Sequence, residues 1–137
     1  MRRASGAAAL ALAFGVLALP AWTCPAAEQG FRRLVSQDAE VAYRWEPGEL
    51  KVGQFFAAEI VACRTPKEEP VRDIVIDATM PAHGHGMNYR PSLARTSAGH
   101  YRFTGLMLHM PGIWRVTIDL LQGSKRTRLT HEVNLKP

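Results

Sequence analysis

The sequence predicts an all-β domain, an immunoglobulin-like β-sandwich of about seven strands, behind a signal peptide. Two observations carry the sandwich. Apolar residues recur at every second position, the period of a half-buried strand, as in Ile74, Ile76, Ala78 and Met80. Turn-forming Gly, Pro and charged residues then interrupt the chain at roughly 8–12-residue intervals, with no stretch of helical period after the leader.

The leader has the parts of a secretion signal: Arg2 and Arg3, an apolar run from Ala7 to Leu19, then small residues from Pro20 to Ala27. The apolar run is too short to span a bilayer comfortably. Cleavage is expected after Ala21, Ala26 or Ala27. Residues 1–27 are taken as the signal peptide and 28–137 as one domain of about 110 residues. A lipid anchor on Cys24 would want small residues before it, where Trp22 and Thr23 stand. The protein is expected to be periplasmic or otherwise exported, with no membrane span once the signal is removed.

Export places Cys24 and Cys63, the only cysteines, in an oxidising compartment. An even count permits one disulfide tying the mature N-terminus to the middle of the domain. The alternatives are a buried free Cys63 or cleavage beyond Cys24.

After a polar lead from Glu28 to Asp38, the first strand is Glu40 to Trp45, with Val41, Tyr43 and Trp45 on one face and Pro47-Gly48 ending it. Gln54 to Cys63 is the second, closed by the turn from Arg64 to Pro70, and Arg72 to Met80 the third. Tyr89 to Leu93 predicts a short fourth strand, followed by a turn at Ser97-Ala98-Gly99. Tyr101 to Leu108 carries Tyr101, Phe103, Gly105 and Met107 on one face. Pro111-Gly112 makes a turn. Trp114, Val116, Ile118 and Leu120 then form the inward face of the sixth strand, and Leu129, His131, Val133 and Leu135 that of the last.

The formal charge of +5 falls to about +3 once Arg2 and Arg3 leave, so the basic balance belongs partly to the signal. The dense run Lys125-Arg126-Thr127-Arg128 follows Gly123-Ser124 and reads as a solvated hairpin tip. Nucleic-acid binding is not expected. No phosphate-cradling loop is present, because His83-Gly84-His85-Gly86 lacks the lysine and the strand-to-helix setting.

The stretch from Met80 to Met87 carries chemistry. His83, His85 and Met87 stand in a glycine-spaced loop where no core demands them, and His109 and Met110 flank a second tight turn. Imidazole and thioether together suit copper, and thioether favours Cu(I) over Cu(II). Met80 and Met107 read as core filler at strand ends, His131 as a core histidine and His100 as a surface residue. The bland alternative is a flexible His-Gly-His-Gly turn.

The blocks Asp77 to Tyr89 and Gly105 to Trp114, with their two Met-Pro segments, resemble the YtkA-like domain family, itself similar to FixH-like domains. The resemblance runs over roughly Gln54 to Leu135. It implies an exported sandwich connected with copper handling or with oxidase and cytochrome assembly. Periplasmic copper chaperones with a His, Met and His-x-Met ligand set are a looser comparison: Met87 and His109 match in separation, but His109-Met110 has no residue between.

An enzyme is not expected. The sequence has no Gly-x-Ser-x-Gly elbow and no His-Glu-x-x-His, and the loop offers methionines where a zinc hydrolase needs its acid. Two functions remain: a copper-binding module that passes its ion to an accepting or respiratory protein, and a metal-free interaction domain that recognises a membrane or respiratory partner through its Met-Pro loops. Strand order adds a geometric expectation. Successive antiparallel strands should bring His109 and Met110 to the same end as His83, His85 and Met87, and leave His100 at the other.

Overall fold

The computed structural model describes residues 24–25, 27–65, 71–97 and 99–137. Most of the expected leader with two of its three candidate cleavage points, residues 66–70 of the expected turn, and Ala98 lie outside the described residues. The chain forms an immunoglobulin-like β-sandwich of two antiparallel sheets. A 3-10 turn, Ala27–Gln29, precedes nine strands: β1 Arg32–Val35, β2 Glu40–Glu46, β3 Phe55–Arg64, β4 Asp73–Met80, β5 His85–Gly86, β6 Ser92–Ser97, β7 His100–Met107, β8 Gly112–Gln122 and β9 Lys125–Leu135. One sheet has the order β1-β2-β3-β7-β6 and the other β5-β4-β8-β9.

The alternating residues meet between the sheets. Val41, Tyr43, Trp45, Ala58 and Ile60 face Ile74, Ile76, Ala78, Met80, Trp114, Val116, Ile118 and Leu120 in one continuous buried cluster. The apolar surface removed from water along these strands drives the packing. A smaller cluster, Phe31, Ala42 and Val61, lies apart from it, with Cys24 and Cys63 packed against it. Those two cysteines are bonded to each other, with a Cα–Cα distance of 5.1 Å.

Three details depart from the sequence reading. β1 lies inside the stretch read as a polar lead, paired through Arg32 to Tyr43 and Val35 to Glu40. The short strand expected at Tyr89 to Leu93 forms instead at Ser92–Ser97, after Pro91, whose missing N–H bars it from a ladder interior. In β7 the pairing shifts from Phe56–Leu106 to Ala58–Phe103, which inserts an extra residue where Gly105 takes φ 78°. This bulge changes the phase of the strand: Leu106 and Leu108 join the central core, whereas Met107, though buried, stands outside it.

The basic run sits on the β8–β9 hairpin, whose two-residue loop begins with Gly123 at φ 55°, as a type II′ turn requires. Its charges are locally paired. Arg128 donates twice to Asp119, at 2.7 and 2.8 Å, and Lys125 lies 3.0 Å from Asp38. None of the helices among the described residues is long and apolar enough to cross a membrane.

Candidate metal centre

β4 and β5 form a tight hairpin in which Met80 opposes His85 and Thr79 opposes Gly86. The connection from Pro81 to Gly84 is held by the Met80 carbonyl, which accepts from the backbone N–H groups of His83 at 3.1 Å and Gly84 at 2.9 Å. Gly84 adopts φ 63°, a left-handed conformation open to glycine at no steric cost. Directly opposed residues of an antiparallel pair share a face, so His85 lies on the same face as Met80, but exposed at the end of the sheet. The Met87 N–H then donates to the Ala78 carbonyl at 3.0 Å, and Met87 packs against the central core. The glycine-spaced loop is thus an ordered hairpin ending at the rim of the sandwich.

The second loop arrives beside it. β7 ends at Met107, and the Leu108 carbonyl accepts from the Gly53 N–H at 2.9 Å. His109 and Met110 follow, both half-buried. The Trp114 indole N–H donates to the Met110 carbonyl at 2.9 Å, and the His109 ring stands edge-on to the Trp114 ring with centroids 5.4 Å apart. Trp114 is completely buried, so one rigid side chain supports both loop residues.

His85 neighbours both other imidazoles, with ring centroids 6.2 Å from His83 and 6.3 Å from His109. Metal–nitrogen bonds of about 2.0–2.1 Å put two imidazoles on one ion with centroids roughly 5–6.5 Å apart, and both pairs fall at the wide end of that range. Nδ1 of His109 is buried and has no hydrogen-bond partner among the described residues. A buried nitrogen without a partner carries an energetic penalty that a bound ion would remove. Among the described residues, no three His, Cys, Asp or Glu side chains are grouped to hold a metal. Imidazoles alone therefore do not complete a centre, and Met87 and Met110, only partly buried where Met80 and Met107 are buried, are the soft donors beside them along the chain. That donor set fits copper and does not fit the harder cations, which want oxygen.

The two loops meet at His85 and His109, and His100 lies elsewhere. His100 opposes Val61, at the other end of the β3–β7 pair from the Phe55–Met107 match. Met80 is buried in the core. His131 is half-buried with its ring 5.6 Å from that of Tyr43. The support given by Trp114 was missed by sequence reasoning: alternation marks it as a core residue, but its reach back to Met110 is a property of the folded turn.

Fold and cluster together define a small all-β sandwich with a histidine- and methionine-bearing rim. The YtkA-like family model matches residues 33–119, so the chain belongs to the YtkA-like family. The match starts earlier than the resemblance read from the sequence and ends within β8, and it contains every candidate ligand. Among solved structures, a DUF4426 family protein from Pseudomonas aeruginosa PAO1 is similar in fold, with a TM-score of 0.51 and 14% identity over 80% of this chain and 97% of that one. No curated protein is significantly similar to the chain.

Proposed function

We propose that this protein is an exported copper-binding module that holds Cu(I) between its two Met-Pro loops and passes it to an accepting protein of a copper-handling or respiratory assembly. The observation that carries the reading is the buried, unpartnered Nδ1 of His109 beside His85. Met87 and Met110, half-buried at the same rim, supply the thioethers that select the soft ion. His85 and His109 form the nitrogen side of the site and Trp114 fixes the second loop, while His83, on the exposed side, is not needed to hold the ion. No protein side chain is consumed or oxidised in this task, so no catalytic residue is assigned.

A second reading, a metal-free interaction domain, is favoured by one observation. Phe55, Ile113 and Tyr89 are 58%, 53% and 44% exposed, and Phe55 and Tyr89 stack edge-on at 5.2 Å. Such a rim suits contact with a membrane or respiratory partner. Titration of the exported protein with Cu(I) and Cu(II) against a competing chelator decides between them. Stoichiometric Cu(I) binding supports the first reading, and failure to compete for either ion leaves only the second. Intact-mass measurement of periplasmic material tests export: the signal should be cut after Ala21, which alone of the three candidate points keeps the Cys24–Cys63 bond, and Cys24 should carry no diacylglyceryl group.

A further inference from the structure

The three imidazoles differ in depth as well as in position. His83 and His85 are exposed and His109 is half-buried, with the unpartnered nitrogen on the innermost ring. Adjacent spacings are nearly equal, 6.2 and 6.3 Å, yet the three do not gather into one group. A single three-histidine centre is therefore not the arrangement present. The two pairs make two neighbouring two-imidazole positions that share His85: an outer one with His83 and an inner one with His109.

We propose that His83 is a transfer ligand. Cu(I) enters and leaves through the outer His83–His85 position and is held at the inner His85–His109 position, where the methionines complete its shell. This rests on the copper reading above. Each step exchanges one neutral imidazole nitrogen for another on the same ion. The outgoing nitrogen regains its free lone pair, the incoming one donates its own, and neither the copper oxidation state nor any proton count changes. On the way out His83 takes the place that His109 vacates, and a donor of the acceptor replaces the methionine sulfurs while His83 and His85 still hold the ion. The ion is then never released bare. His83 suits this task because it lies in the turn rather than in the ladder, with its backbone N–H donating to the Met80 carbonyl.

A relay of this kind separates rates from affinity. The test loads the exported protein with Cu(I) and follows transfer to bathocuproine disulfonate by stopped-flow absorbance, in parallel with equilibrium competition. His83→Ala should keep the Cu(I) affinity within about threefold of the parent, while transfer slows by about tenfold or more. His83→Met, which restores a soft donor, should recover the rate. Parent-like transfer by His83→Ala would overturn the relay and leave the copper site standing. An affinity loss in His83→Ala as deep as that of His109→Ala would also overturn it, by making the three histidines one site. A parent protein that binds no Cu(I) removes both the relay and the function on which it rests.

Discussion

Met80 and Gly112 interlock the two loops: a Cβ placed on Gly112 would stand 2.8 Å from Met80 Cε. Met80 opens the His83–His85 hairpin and Gly112 closes the His109–Met110 turn, so the packing of one loop constrains the other. Gly112 also has φ 128°, which a side chain adopts only with strain.

Gly112→Ala should therefore lower stability by about 1–3 kcal/mol, read from urea denaturation midpoints. The methyl contact alone can be relieved by a shift of the flexible Met80 side chain, whereas the backbone strain remains. A variant as stable as the parent would contradict the strain assigned to Gly112.

Reduction of the Cys24–Cys63 bond should cost about 2–4 kcal/mol, chiefly by freeing the unfolded chain. The folded consequence should be local, at the cluster of Phe31, Ala42 and Val61 on which the two cysteines pack. Denaturant titration with and without reductant measures the loss. Alkylation of two thiols in the unreduced native protein would contradict the bond.

His131 supplies a pH dependence. Burial first, then the nearby Arg32 charge, lower its pKa from the ordinary histidine value. The folded state thus prefers the neutral ring. The unfolded chain takes up a proton once pH falls below about 6.5, so stability present above that value is lost as pH falls toward the folded pKa. Melting temperature should drop more steeply between pH 7 and pH 5 in the parent than in His131→Gln. Equal slopes would show that His131 does not carry the effect.

Much of this was legible in the sequence because burial on one face writes a period of two. Trp114, Val116, Ile118 and Leu120 alternate without interruption and identify β8 at once. β1 was not legible: Arg32-Arg33-Leu34-Val35 buries no side chain fully, and its place is set by backbone pairing with β2. β6 is exposed along its whole length, so no alternation marks its start. The bulge at Gly105 hides a phase change behind an apparently regular Tyr101, Phe103, Gly105, Met107 series, and only the ladder reveals that Leu106 and Leu108 turn inward. For the candidate site, residue types and strand order placed both loops at one end. The shared support from Trp114 and the depth order of the three histidines depend on side-chain packing, which residue spacing does not encode.

The composite two-loop site stands or falls on His109. Equilibrium competition for Cu(I) between the purified protein and a chelator of known affinity should show His109→Ala and His85→Ala each weakened well beyond tenfold, more than about 1.4 kcal/mol of binding free energy, while His100→Ala matches the parent. If His109→Ala binds Cu(I) as tightly as the parent protein, the second loop is not part of the site and the ion, if held at all, belongs to the His83–His85 hairpin alone.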